Sequence, residues 1–411
     1  MERNCKKHTR LIRGITMKIC FISNLYPPNV LGGAEIIVEK MALAMVEKGH
    51  ESIIITTSPD DEKRVINRDN TTIYQLNTTK LYPTYKQTEA QGIKKPFWHI
   101  MDLWNNDTLK EIKKILTKEA VDIVHINNYK GLSLSCFKAG KDLGIPVVYE
   151  SHDFSLICPR ANLIRGNNTL CQERNLICNQ YVNRQRKLLN DNVDLLISPS
   201  QFMINKFREN DFFKNTKAIK IPLGVEYTSI KTNKNYDTID IAFIGTLGKH
   251  KGVDTLIKAF TDIENPDIKL HIIGKGYDEE EFKEMAKDDK RIIFHGFVDN
   301  KEIMKFYEMI NFLVIPSICY DNSPLVIYES FSTGTPVIGS DIGGIPELIK
   351  ENYNGFLFEA ENPDSLKEKL VKVITDKELL KNLEENAYAS LPHNSMEIMV
   401  NNIVEEYNKL L

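Results

Sequence analysis

Residues 316–347, PSICYDNSPLVIYESFSTGTPVIGSDIGGIPE, place two carboxylates, a Ser-Pro helix start and a glycine turn inside one βαβ unit. The run Phe312 to Pro316 leads in as a short apolar strand, and Ser323-Pro324 has the order of an N-cap followed by proline at the first helical position. A helix is expected to begin there, with its free N–H groups facing the loop. Such an end carries partial positive charge and unpaired donors, which suits a phosphate or diphosphate. Asp321 and Glu329, eight residues apart, flank it from the loop and the first turns, where carboxylates grip hydroxyls. Thr333-Gly334-Thr335-Pro336 then ends the helix, and Val337–Gly339 starts the next strand. The unit reads as a nucleotide-sugar site.

Outward from this unit, apolar strand-like runs alternate with helical segments along the whole chain. They are Ile19–Ile22, Ile53–Ile55, Ile123–Ile126, Val147–Tyr149 and Leu195–Ile197, then Ile241–Ile244, Leu270–Ile273, Ile292–Phe294, Phe312–Ile315 and Val337–Gly339. Short, β-branched and apolar throughout, they predict parallel sheets covered by helices on both faces. Two sets of five imply two doubly wound, Rossmann-like α/β domains, over residues 17–222 and 239–395. At 411 residues the chain is too long for one core, and the polar stretch Tyr227 to Asp237 is the natural linker. Ligands of such sheets bind beyond the carboxyl ends of the strands, so two facing domains make a deep cleft.

Composition narrows the class. With 42% apolar and 27% charged residues the chain is ordinary globular protein, and no apolar run approaches the ~18 residues of a membrane span. A net charge of −3 argues against nucleic acid as a partner by bulk charge. Met1 to Thr16 is basic, lacks the apolar core of a signal peptide, and reads as a disordered tail or an upstream start codon, with Met17 the working beginning. Seven cysteines without an export signal point to reduced thiols in the cytoplasm.

The layout around Asp321 and Glu329 closely resembles the acid-x7-acid signature of the retaining GT-B glycosyltransferases called family four, or group 1. The resemblance spans about residues 17 to 410. It implies the GT-B fold, with an acceptor-binding first domain, a donor-binding second domain, and a final helix, 396–411, that crosses back to the first. By the same resemblance Glu329 binds ribose hydroxyls and Asp321, where the family usually has Glu, contacts the donor sugar; Asn322, Ser323, Pro324 and Leu325 belong to the same donor contact. Gly32-Gly33-Ala34-Glu35 looks like the first glycine-rich loop, whose backbone approaches the donor phosphate or the acceptor because no Cβ intervenes. His125 and Asn127 end a strand that in the family carries a histidine near the donor sugar, and His152, in Ser151-His152-Asp153, is the stronger candidate for the sugar or acceptor pocket. In Gly245-Thr246-Leu247-Gly248-Lys249-His250-Lys251, Lys251 matches the family's diphosphate lysine. Thr246 stands where the family has arginine, so a positive charge is missing unless Lys249 replaces it. Val298 falls in a turn that looks like the nucleobase lining.

The activity so implied is transfer of a hexose-type sugar from a nucleoside diphosphate sugar to a glycan or lipid-linked acceptor. Configuration is retained, and neither metal nor cofactor is needed. Two other readings stand beside it: a non-hydrolysing nucleotide-sugar epimerase on the same fold, and a non-catalytic partner subunit that binds sugar or lipid. Cys158, Cys171 and Cys178 with His152 offer Cys₃His ligands for zinc, against reduced thiols with no such role. The segment 156–187 sets six Arg and Lys against Glu173, suiting either an anionic lipid-linked acceptor or a solvated face. Phe97, Trp98 and Trp104 fit an interfacial membrane contact, placing the protein peripherally at the inner face of the cell membrane, or equally a cap on the core.

Overall fold

A computed structural model of the chain describes residues 16–411 except 31, 61, 79–97, 99–100, 167, 190, 226–233 and 392–394. The basic tail before Thr16, Phe97 and most of the Tyr227–Asp237 linker therefore lie outside the described residues.

Two α/β sheets account for the strands. The first contains β1 (Lys18–Ser23), β2 (Glu51–Thr57), β3 (Arg64–Arg68), β4 (Thr71–Leu76), β5 (Ile123–Asn128), β6 (Val147–Glu150), β7 (Leu195–Ser198) and β8 (Lys217–Lys220), in the order β3-β4-β2-β1-β5-β6-β7-β8. The second contains β9 (Ile239–Ile244), β10 (Ile268–Ile273), β11 (Ile292–Gly296), β12 (Phe312–Ile315), β13 (Val337–Ser340) and β14 (Gly355–Phe358), in the order β11-β10-β9-β12-β13-β14. All pairings are parallel except β3 with β4. Each of the ten expected runs is a strand, and the expected five-plus-five becomes eight-plus-six. The added strands are β3, β4, β8 and β14. β3, RVINR, and β8, KAIK, are edge strands with exposed or half-exposed residues throughout, so neither carries the apolar run of a central strand.

The strand order builds outward from β1 first to one side and then to the other, and likewise from β9, which puts the switch points between β1 and β5 and between β9 and β12. Crevices at the carboxyl ends of such pairs are where this architecture takes its ligands. Packing explains why the last helix, Met396–Leu410, leaves the second sheet: its Met396, Met399, Val400, Ile403 and Tyr407 share one buried cluster with Met17, Ile19 and Phe21 of the first. Trp98 is fully buried, so it belongs to the core and not to a membrane surface, and Trp104 Nε1 donates to Asn106 Oδ1 at 2.9 Å. Among the described residues no helix is long and apolar enough to cross a membrane.

Candidate active site between the two sheets

The loop after β12 and the helix Leu325–Ser332 form one wall. That helix starts one residue later than Ser323-Pro324 suggested. Pro324 itself is extended (φ −64°, ψ 121°) and occupies the cap position, while Ser323 Oγ turns to the Tyr328 hydroxyl at 2.7 Å. No side chain caps the helix, so its first N–H groups keep their donors for a ligand. The loop is pinned from behind, where Gly344 N–H donates to the Asp321 carbonyl at 2.7 Å.

Lys251 reaches this wall from the loop after β9. Its Nζ lies 2.6 Å from Asp321 Oδ1, and Ser317 Oγ donates to Asp321 Oδ2 at 2.6 Å. Gly252 makes the approach possible: it is left-handed (φ +68°), and a Cβ there would stand 1.9 Å from the Pro316 carbonyl oxygen. Burial pulls the Lys251 ammonium pKa down, but the neighbouring Asp321 carboxylate outweighs it and the net shift is upward. Lys249 does not fill the place of the missing arginine, because its Nζ pairs with Glu281 at 2.9 Å. Thr246 is exposed, so the position stands open to solvent. Glu329 sits half-buried and accepts a hydrogen bond from the Tyr307 hydroxyl at 2.8 Å. Burial raises its pKa, partly countered by Tyr307 and Lys40. Val298 packs on the apolar cluster that holds Tyr307, the partner of Glu329.

The facing wall comes from the first sheet. Gly33, Ala34, Ile37 and His152 line a cavity together with Asp321–Leu325. Gly33 opens the helix Gly33–Glu47 directly against the second domain; a Cβ on it would meet Leu325 Cδ1 at 2.4 Å, which only a shift of that side chain could relieve. Gly32 precedes it, and its N–H is held by Glu35 Oε2 at 2.9 Å. Four hydrogen bonds cross between the walls and set their spacing. Asn322 Nδ2 donates to the Ser151 carbonyl at 2.9 Å, the Ser200 hydroxyl donates to Asn322 Oδ1, and Glu347 accepts the N–H groups of Gln201 and Phe202 at 2.9 and 2.7 Å.

His125 is not part of the cleft lining. It is fully buried beneath the Met396–Leu410 helix, with Nε2 3.2 Å from Glu150 Oε2 and Nδ1 hydrogen-bonded to the Tyr407 hydroxyl. With no exposed surface it cannot reach a donor sugar in the cleft, which corrects its expected contact. His152 does reach the cleft, with Nε2 3.0 Å from Asn127 Oδ1.

Among the described residues no three His, Cys, Asp or Glu side chains converge as a metal site requires. The zinc reading of Cys158, Cys171, Cys178 and His152 gains nothing from the structure: Cys158 is buried, and Cys171 Sγ contacts the Glu173 carbonyl at 3.4 Å. In the basic segment several charges are already engaged, Arg174 with Asn179 and Asn210, Arg186 with Asp211, and Arg165 with the Glu173 carbonyl. What the sequence reading missed is the pair Leu176 and Ile177, 83% and 80% exposed at the first turn of the helix Leu176–Leu189, whose outer side also exposes Arg184 and Lys187.

Two doubly wound sheets that face each other across a cleft, with glycine loops from one and an acidic helix start from the other, define the GT-B class of glycosyltransferase. Residues 226–390 match the family described as glycosyl transferases group 1, and residues 31–228 match that described as glycosyltransferase family 4. The two matches follow one another along the chain, one in each domain, and both are to glycosyltransferase families. It is 27% identical over 359 residues to an uncharacterized 42.6 kDa protein in the cps region of Klebsiella pneumoniae, covering 85% of this chain and 92% of that one. It is 23% identical to the N-acetyl-alpha-D-glucosaminyl L-malate synthase of Bacillus anthracis, covering 91% and 92%. Among solved structures it superposes on sucrose-phosphate synthase from Thermosynechococcus elongatus with a TM-score of 0.76 at 18% identity, covering 96% and 99%. Anabaena Alr3699/HepE in complex with UDP gives 0.72 at 17%, covering 96% and 100%.

Proposed function

We propose that this protein transfers a hexose-type sugar from a nucleoside diphosphate sugar to a glycan or lipid-linked acceptor, with retention of configuration and without a metal ion. The observation that carries the reading is the Lys251 ammonium held beside Asp321 at the uncapped start of the Leu325–Ser332 helix. A diphosphate leaving group gains negative charge as the glycosidic bond breaks, and a fixed cation with a row of helix N–H groups meets that charge without rearrangement. Glu329 takes the ribose hydroxyls, one turn further along the same helix, and Asp321 takes a sugar hydroxyl. His152 faces the sugar or acceptor from the other wall. On this reading the first domain, residues 17–222, holds the acceptor and the second, residues 239–395, the donor.

Retention fits attack from the face of the departing phosphate, which then takes the acceptor proton. No protein nucleophile is assigned. The neighbour solved with UDP and the relative from a cps region support a UDP-sugar donor and an envelope polysaccharide or its lipid-linked precursor as acceptor. The exposed Leu176-Ile177 pair and the basic side chains beside it support an approach to that acceptor at the inner membrane surface.

The test is a thermal-shift panel of UDP-, GDP- and ADP-sugars with and without EDTA. One donor at a hundred times its Kd should stabilise the fold by about 2.7 kcal/mol, and EDTA should leave both the shift and transfer unchanged. Transfer abolished by EDTA and restored by magnesium would overturn the metal-free reading.

A further inference from the structure

Beneath the cleft lies a group of ionisable side chains that the donor site does not use. Glu150, at the end of β6, has no exposed surface, and neither of its oxygens has a hydrogen-bond partner; its polar neighbours lie at ion-pair distance. A carboxylate buried in this way is expensive unless ionised and matched, or neutral. What surrounds it is two imidazoles: His125 Nε2 at 3.2 Å from Oε2, and His152 Nε2 at 3.8 Å from Oε1. Burial alone pushes the Glu150 pKa up, yet the imidazoles of His125 and His152 facing it bring it below the ordinary carboxylate range.

Proton positions follow from who can donate. The ionised Glu150 carboxylate only accepts, so the His125 nitrogen that faces it, Nε2, carries the ring proton; Nδ1 is then the acceptor and the Tyr407 hydroxyl donates to it. His152 Nε2 faces two acceptors at once, Asn127 Oδ1 at 3.0 Å and Glu150 Oε1. Turning the Asn127 amide around would offer an N–H to Nε2 but would leave an unprotonated ring nitrogen facing a carboxylate, so the carboxylate decides the arrangement. His152 therefore carries its proton on Nε2. Its Nδ1 is the ring atom left to accept a hydroxyl in the cleft, whose other wall carries Asp321 and Ser323. Further acids nearby are turned elsewhere: Asp153 accepts from Ser155, and Glu35 accepts the Gly32 N–H.

We propose that Glu150 is a positioning residue for the cleft histidine, in a chain Tyr407–His125–Glu150–His152 that begins on the C-terminal helix and fixes His152 as the Nε2–H tautomer. The consequence for His125 is a new role: it orients the carboxylate and touches no substrate. A second consequence is that the C-terminal helix, by supplying the Tyr407 hydroxyl, takes part in setting the chemistry of a cleft it does not line.

The test reads the tautomer directly. In protein labelled with ¹⁵N-histidine, ring-nitrogen shifts separate the Nε2–H from the Nδ1–H form, and loss of signals in His152→Gln assigns the ring. The parent should show a single Nε2–H form at His152. Glu150→Gln should show a mixture, because the amide can offer either a donor or an acceptor, and Tyr407→Phe should show a smaller admixture. Should Glu150→Gln fail to fold, Glu150→Asp and Tyr407→Phe carry the same measurement. An unchanged, pure Nε2–H signal in folded Glu150→Gln, or an Nδ1–H form in the parent, would overturn the proposal.

A kinetic arm rests on the transferase reading and is scored apart from the ring signals. Once a donor is found, Glu150→Gln should lower kcat on the order of 100-fold while KM for the donor stays within about twofold. A ring-nitrogen result as expected with no donor turned over would count against the function and leave the positioning role standing. Equal kcat in parent and Glu150→Gln, with the tautomer mixed, would show that turnover does not depend on the His152 tautomer and would overturn its link to the chemistry of the cleft.

Discussion

The Lys251 ammonium is 2.6 Å from Asp321 Oδ1, so before any donor arrives the cation meant for the diphosphate is held in place by the acid meant for the sugar. Ser317 holds the other oxygen of the same carboxylate, which leaves the pair oriented and the lysine charged at neutral pH. Because charge on the β-phosphate grows as the bond breaks, the lysine gains more in the transition state than in the ground state. Lys251→Ala should therefore cost about 2–4 kcal/mol in transition-state stabilisation, roughly 30- to 1000-fold in kcat, with a much smaller loss of nucleotide affinity. Steady-state kinetics beside a nucleotide titration check this; turnover at the parental level would remove the phosphate role from the loop.

Glu329 gives a prediction in which stability and binding move in opposite directions. Its pKa is raised by burial, so the folded state holds its proton more tightly than the unfolded one. Stability from this group is then full below the unfolded value and falls as pH rises through the folded one, leaving a cost at neutral pH. Glu329→Gln removes that cost and should melt at or slightly above the parent at pH 7. It should keep part of the nucleotide-induced shift, since the amide still accepts one hydrogen bond, whereas Glu329→Ala should lose the shift with little change in apo melting. Differential scanning fluorimetry at pH 5 and 7 resolves both effects: the Gln variant's advantage should shrink at pH 5.

Sequence reading reached the strands because parallel, doubly covered strands such as Ile53–Ile55 and Leu270–Ile273 are apolar on both faces and carry their own signature. It did not reach KAIK of β8 or RVINR of β3, whose pairing at a sheet edge is set by neighbours and not by composition. Ser323-Pro324 signalled the helix but not its first residue, since Pro324 can serve either as the cap or as the first turn and only its ψ decides. Contacts between distant residues were the hardest part. Lys251 and Asp321 are 70 residues apart and the resemblance alone brought them into one site; nothing local told that His125 would be sealed by Tyr407, 282 residues later. Leu176 and Ile177 are two adjacent apolar residues with no local mark of exposure, and only the fold shows them uncovered.

The open position at Thr246 predicts a gain of function. Lys249 is committed to Glu281, and a surface pair of this kind contributes little to stability, so Lys249→Ala should change transfer and melting only slightly. Thr246→Arg places a guanidinium on the exposed rim beside Lys251 and should tighten nucleoside diphosphate binding about tenfold, in proportion to a single added charge-assisted contact. Isothermal titration with the nucleoside diphosphate distinguishes the cases. Identical affinity in Thr246→Arg, together with a large loss in Lys249→Ala, would mean that Lys249 leaves Glu281 when the donor binds.

Leu176 and Ile177 carry the last prediction. Each exposes most of a large aliphatic side chain to water, and burying such a side chain is worth about 1.5–3 kcal/mol, while Arg184 and Lys187 on the same helix would each add about 1 kcal/mol against an anionic lipid surface. The described part of the chain should therefore sediment with vesicles containing phosphatidylglycerol and stay in solution with pure phosphatidylcholine. Leu176→Asp with Ile177→Asp should abolish sedimentation, and Arg184→Glu with Lys187→Glu should weaken it and remove its salt dependence, all without lowering the melting temperature, since none of the four supports the core. Sedimentation that is equal on neutral and anionic vesicles would assign the contact to apolar insertion alone; none on either would mean that this face meets water or protein and that the acceptor reaches the cleft without the membrane.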